Sequence, residues 1–401
     1  MYQNRLSGCN IRCAMASFFC YILFTFILLT SCNNSPVNKS APNENDESVL
    51  MDYDTYEEKE ELVFSEVFQP VYHIKLQSSA PLIAQIDKII FKDQYIFILD
   101  QEGTQSIFAF DTLGRFLGTV GEKGFGPNEY EYPEDIAAND DHLIICTSAN
   151  SLLWYDLSNL SFVKSTNLSY QVSAIASNPQ GGWYIATNQL EGNPYKTFLL
   201  QADQEGVLTG GILPNTNNDL SGYLANGFYL NEKKEVLYTP THSKVLYTIK
   251  NNIPKPIFSL HPAGPTKGIF EKTEPIFMNA PILCTPTHML FSTFFAKTDG
   301  GNDINKVYTN IFNKKNKLLT TYRNTTIDWL GHALTSTPLA TWQDSLIIWP
   351  IYPDGMDAYK EWYKENKLSW QEIYRDDKLA LDILSNTRLT DNPSLLFCKI
   401  K

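Results

Sequence analysis

Basic charge is in short supply in this 401-residue sequence: 32 Lys and Arg stand against 44 Asp and Glu, for a net charge of −12. Nucleic-acid binding needs clustered cations to displace counterions, so that class of partner is excluded. Paired cysteines are missing too. Of seven cysteines, Cys9, Cys13, Cys20 and Cys32 fall in the first 32 residues, and Cys146, Cys284 and Cys398 lie singly in or beside apolar strands, with no Cys-x-x-Cys spacing. Buried free thiols are the expectation there, not a disulfide framework or a metal knuckle. Beyond Leu29 no apolar run is long enough to cross a bilayer. Also absent are the Gly-x-Ser-x-Gly elbow of a nucleophilic serine and the Ser-x-Asp-x-Gly-x-Thr-Trp box of sialidase-like enzymes.

What the sequence has is short runs of β-branched and aromatic residues, punctuated by Asp, Gly and Asn. Tyr95-Ile-Phe-Ile-Leu99 is followed by Ile107-Phe-Ala-Phe110, then by Asp111-Thr-Leu-Gly114 and Arg115-Phe-Leu117. Such runs form antiparallel strands. Asp111 can accept hydrogen bonds from the backbone ahead of it, and Gly114 supplies the positive φ of a tight hairpin.

The same outer hairpin returns at Leu152–Tyr155 with Asp156, at Thr197–Leu200 with Asp203 and Gly206, at Val245–Ile249 with Asn251 and Asn252, and at Val307–Phe312 with Asn313 and Asn316. The first three copies are about 45 residues apart, the period of a four-stranded propeller blade. A second strand precedes each copy: Tyr95–Leu99, Leu143–Cys146, Trp183–Ala186, Val236–Thr239 and Met289–Ser292, with a sixth at Leu346–Trp349. That sixth strand lacks an adjoining hairpin, whereas Val71–Leu76 and Leu395–Ile400 are spare. The expected fold is therefore all-β, a six-bladed β-propeller whose N- and C-terminal strands share the last blade, which removes free sheet edges.

Residues 1–31 read as an export signal: Arg5 and Arg12, an apolar segment from Phe18 to Leu29, then Leu29-Thr-Ser-Cys32. Leu-Thr-Ser-Cys resembles the bacterial lipoprotein lipobox, which implies cleavage before Cys32, lipidation of that residue and attachment to a membrane, with the outer membrane of the bacterial envelope as the expected location. Residues 32–64 are polar and acidic, a composition expected to form a flexible tether ahead of a propeller spanning 65–401.

The run Gly121-Glu-Lys-Gly124-Phe-Gly126-Pro127-Asn-Glu129-Tyr130 has the wrong spacing for a phosphate loop and leads into an extended segment. It resembles the inter-blade junction of NHL-type propellers. Together with Ile107-Phe-Ala-Phe-Asp-Thr-Leu-Gly114 and Asp391-Asn-Pro-Ser-Leu-Leu396, it is similar to the family of bacterial six-bladed β-propeller lipoproteins. The resemblance implies one ring domain on an anchored tether.

Blade six is interrupted at about residues 355–386, where Ser369 and Glu372 have the spacing of a capping box and apolar positions recur at helical intervals. Two short helices are expected. Their aromatic residues Trp362, Tyr363 and Trp370 are candidate ligand contacts. For acid–base chemistry the candidates are Asp87, Glu134 and Asp135, close to inner strands at the channel mouth. Thr-Pro-Thr-His occurs twice, ending at His242 and His288, but the two copies fall at different places in their blades, so paired metal ligation is not expected. These residues point to a monomeric binding module for a protein or carbohydrate, with no cofactor and no metal. The alternative is a metal-assisted hydrolase or lyase acting on glycans or lactones.

Overall fold

The computed structural model describes residues 55–79, 81–126, 128–187, 192–214, 227–240, 243–260, 276–278, 280–299, 302–335, 337–343 and 345–401. The export signal, Cys32 and the tether up to residue 54 lie outside the described residues. Six antiparallel sheets follow one another around a ring as blades one to six. Blade one is Lys88–Lys92, Tyr95–Asp100, Ser106–Asp111 and Phe116–Thr119, and blade two is Pro133–Ala138, His142–Thr147, Ser151–Asp156 and Phe162–Asn167. Blades three and four begin at Ala174 and Phe228 and have the same four-strand order. In every blade the second strands read from sequence pair with the expected third strands, as in Tyr95↔Asp111, Leu143↔Tyr155, Trp183↔Ala202 and Val236↔Ile249.

Burial explains why the middle strands are apolar without interruption. Each sheet has a neighbouring blade on both faces, so all six residues of Tyr95–Asp100 are buried, and the cores lie between blades. Phe97 and Leu99 of blade one pack with Ile136, Leu143 and Leu153 of blade two. Outer strands bury one face only, and Phe162–Asn167 alternates half-buried and exposed residues accordingly. At the blade-one turn, Gly114 donates to Asp111 O at 2.9 Å with φ +79°, while the Asp111 carboxylate accepts from the amides of Leu113 and Arg115.

The ring closes where expected. In blade six, Ser394–Ile400 pairs on one side with Leu346–Ile351 and on the other with Phe68–Lys75, in register from Phe68↔Ile400 to Lys75↔Ser394. A second tie was not expected. Thr55–Val63, read from sequence as part of the tether, is a strand lying parallel to Leu318–Thr326 on the outer edge of blade five. Its acidic composition suits an edge, where only one face is covered: Leu62 is buried, whereas Glu57, Lys59 and Glu61 on the alternate positions are exposed, and Glu58 and Glu60 pair with Arg323 on the neighbouring strand. The short helix α1 (Phe64–Val67) then carries the chain across to blade six. Phe64 is fully buried there, with ring centroids 5.3 Å from both Phe68 and Trp349.

Asp391 and Asn392 hold the junction from blade six to blade one. Asn392, 1% exposed, accepts from Ile83 N and donates to Gln77 O and Pro81 O. Asp391 accepts from the Lys75 ammonium, the Ser78 hydroxyl and the Arg388 amide. Burial alone would push the Asp391 carboxyl up; those donors outweigh it and bring it down to about 2. The interruption in blade six contains three helices where two were expected: α2 (Pro353–Glu365), α3 (Trp370–Ile373) and α4 (Lys378–Asn386). Helix α2 starts at Pro353, whose fixed φ suits a first turn, and buries Pro353, Met356 and Tyr363 at helical spacing; the later expected helix is the one that is divided, into α3 and α4. Ser369 accepts from Glu372 N at the start of α3, and Asp377 caps α4 through Ala380 N. The helices cover the gap between blades five and six, burying Met356, Ile383 and Leu384 against Trp329, Leu330 and Trp349.

Replacing Asn392 with Ala strands the buried Ile83 amide and removes two part-buried bonds to Gln77 O and Pro81 O, so Asn392→Ala is expected to lower unfolding free energy by about 2 kcal/mol in urea titrations. Leu113→Ala, at an exposed turn, should stay within about 0.5 kcal/mol of the parent. Because the Asp391 carboxyl is depressed, its stabilising effect is complete above the ordinary carboxylate range and is lost as pH falls towards 2. The parent should therefore lose stability on acidification more steeply than Asp391→Asn, measured as melting temperature between pH 6 and pH 2.

Candidate functional site

The strand order gives the ring two unlike faces. Within a blade, the turns from first to second strand and from third to fourth leave on one side, and span two to five residues, as at 93–94 and 157–161. The remaining connections leave on the opposite side; some are short, as at 148–150, but all the long ones are among them, including 76–87, 120–132, 327–339 and the helical segment 352–393. Rigid sheets with long loops gathered on one side are the arrangement in which binding groups are found.

On this loop face the glycine-rich junction between blades one and two is tightly determined. Gly121 has φ +74°, and a Cβ there would strike the Tyr155 hydroxyl and the Tyr130 ring. Glu122–Lys123 bridges to Glu129–Tyr130, Gly124 donates to Tyr130 O at 3.0 Å, and the Glu129 carboxylate accepts from Gly126 N at 2.8 Å. A side chain on Gly124 would run into that carboxylate. Tyr130 is 2% exposed, and burial pushes its hydroxyl up to about 12. Pro127 lies outside the described residues. Asp111 and Gly114 are at the other end of blade one, in the short-turn face, so the motif divides into a turn and a junction.

The junction borders a concavity of about 450 Å³, lined by Gln105, Lys123, Gly124, Phe125, Glu131, Tyr132 and Ser148. Phe125 stands 88% exposed at the tip of the loop. Tyr132 donates to the Glu102 carboxylate at 3.1 Å, and burial together with Glu102, Glu134 and Asp87 pushes its hydroxyl up to about 12. Neither aromatic was singled out from sequence. The available signal was an aromatic residue between two glycines, Gly124-Phe-Gly126, in a loop with no apolar neighbour to pack against.

The carboxylates at the inner strands have structural partners. Asp135 accepts from Lys88 Nζ at 2.6 Å, from Ile136 N and from Ile175 N, tying blades one, two and three together. Asp87 accepts from the amides of Gln101 and Glu102. Glu134 is the carboxyl pushed upward, by burial first and by the charges of Asp135 and Glu102 next. His288 is held at both nitrogens, by Asn313 at Nε2 and by Thr287 at Nδ1, beside the short turn 285–287; His242 lies outside the described residues. Among the described residues no three His, Cys, Asp or Glu side chains gather to hold a metal ion, and Cys146, Cys284 and Cys398 are buried free thiols.

The helical cap separates its three aromatic candidates. Tyr363 is 5% exposed and its hydroxyl bonds that of Tyr359, which in turn bonds Tyr374 at 2.8 Å. Trp370 packs partly buried against the same core, whereas Trp362 leaves half its surface open. Tyr363 therefore belongs to the interior of the cap, because its turn of α2 faces the blades, and Trp362 is the ring available to solvent.

A family model described as "Domain of unknown function (DUF4934)" matches residues 48–399. The chain belongs to that family. Among solved structures this DUF4934 chain is similar to a candidate exported protein from Bacteroides fragilis, with 15% identity, a TM-score of 0.65, and coverage of 86% of this chain and 99% of the other. It also matches hydrazine synthase from Kuenenia stuttgartiensis, with 12% identity, a TM-score of 0.42, and coverage of 67% and 74%. The first likeness supports the ring fold; the second is too distant to carry an argument. No curated protein matches.

Gly124→Ala is expected to displace the Glu129 carboxylate and open the junction. The measurement is thermal unfolding with hydrogen exchange of residues 121–130: a loss of about 1–3 kcal/mol with faster local exchange is the expected result.

Proposed function

We propose that this DUF4934 chain is a lipid-anchored module of the bacterial cell envelope that binds a protein or carbohydrate ligand through its loop face. The unequal faces carry this reading, because the short turns leave little to recognise while the opposite side gathers the junction concavity and the helical cap. In this reading the chain resembles the NHL-like propeller lipoproteins, with residues 1–31 removed, Cys32 acylated and the polar segment from Cys32 to residue 54 serving as tether to the outer membrane.

The attachment point agrees with that role. Thr55 pairs with Leu318, directly after the turn 314–317. Lys314 in that turn reaches Glu232 and Thr285 O on the short-turn face. A tether joined on this side leaves the long loops free to meet a ligand. A second reading, a metal-assisted hydrolase or lyase acting on glycans or lactones, draws support from the upward-shifted Glu134 carboxyl. Stoichiometric metal in protein purified without chelator would favour it.

The anchor is tested by Cys32→Ser. The parent is expected to take up labelled fatty acid and sediment with membranes, and the variant to do neither. Equal labelling of both would remove the lipid anchor from the account.

A further inference from the structure

The junction concavity has a lining that selects among ligand classes. Two aromatic rings, Phe125 and Tyr132, stand with an amide, an ammonium, a carboxylate and a hydroxyl, from Gln105, Lys123, Glu131 and Ser148. No aliphatic side chain contributes, so the apolar surface is confined to two ring faces flanked by polar groups, which suits a ligand with one apolar face and a polar rim better than an acyl chain. Lys123 is the sole cation in the lining and already bonds Gln105. Glu131 lies in the wall and Glu102 and Glu134 lie close to Tyr132, so a phosphate, sulfate or uronate would meet net negative charge.

Phe125 presents its ring to solvent: it is 88% exposed, more than any other large apolar side chain among the described residues, on a loop held by Gly121, Gly124 and the Glu129 carboxylate. The loop is pre-organised, so a ligand stacking on Phe125 orders little that is not already ordered. Tyr132 is likewise held by its bond to Glu102, leaving its ring at the concavity.

We infer that this concavity is a binding subsite for a neutral oligosaccharide, with the face of one sugar ring on Phe125 and hydroxyl groups bonded by Gln105, Lys123, Glu131 and Ser148. Sugars match this chemistry because each ring offers an apolar face for stacking and a rim of groups that both donate and accept. A volume of about 450 Å³ exceeds the needs of a single sugar ring, which favours an oligomer over a monosaccharide. The inference rests on the binding-module reading and assigns it a site and a ligand class.

The test uses the full chain in a non-glycosidic detergent, applied to an array of neutral and acidic oligosaccharides, with Phe125→Ala, Trp362→Ala and Leu113→Ala alongside. Phe125 and Leu113 are both exposed, so neither change should move the melting temperature. The expected result is binding to neutral oligosaccharides that weakens about tenfold or more in Phe125→Ala and is unchanged in Leu113→Ala. Binding confined to acidic glycans, or none to any glycan, overturns the inference. Binding that survives Phe125→Ala but is lost in Trp362→Ala also overturns this site, yet leaves the binding-module reading standing with the cap as its surface.

Discussion

Everything in this molecule depends on one strand pairing, that of Phe68–Lys75 with Ser394–Ile400. Blades one to four are each built from consecutive chain, as is blade five apart from its added edge strand Thr55–Val63, and those consecutive strands would pair whether or not the ring closed. Blade six cannot form without joining residues more than 300 positions apart. Until it does, the apolar faces of blades one and five have no neighbour. Closure buries Phe397 and Leu395 against blade one, with Ile74 packed partly buried beside them, and Phe68 and Leu396 against the blade-five side.

That closure is reinforced beyond what a ring requires. Thr55–Val63 belongs to blade five and Phe68–Lys75 to blade six, so one continuous segment straps two blades from outside. Within the seam, Asn392 and Asp391 fix the segment 77–83, and α4 touches the outer strand through His73 to Asp382 at 2.8 Å. A scaffold so constrained can carry a long helical segment and open loops on one side without their conformations disturbing the sheets.

Much of this was legible in the residues, for physical reasons. A strand covered on both faces must be apolar throughout, and a turn beside it needs Asp or Gly, so Tyr95–Gly114 and its copies announce blades. The spare strands Val71–Leu76 and Leu395–Ile400 announced the seam. Thr55–Val63 was not legible, because an edge strand covered on one face can be mostly glutamate and still pair through its backbone. The helical segment was legible as two helices; the break that divides the second into α3 and α4 was not, because it depends on Asp377 turning from the end of one to cap the start of the other. The site was less legible than the fold. Gly121–Tyr130 could be read as a junction, but the presence of a cavity beside it depends on Gln105 and Ser148 arriving from other loops. Asp87 and Asp135, read as candidates for chemistry, hold backbone amides instead, a role set by tertiary contacts across three blades. Tyr363 and Trp362 are adjacent in sequence and opposite in environment, which only the orientation of α2 on the blades decides.

Hydrogen exchange across the seam tests closure most directly. The amides of Phe68–Lys75 and Ser394–Ile400 should exchange together, at the rate of global unfolding, as slowly as those of Tyr95–Asp100. Exchange of Phe68–Lys75 as fast as that of the exposed turns, with the other five blades still protected, would contradict a ring closed by its own two ends.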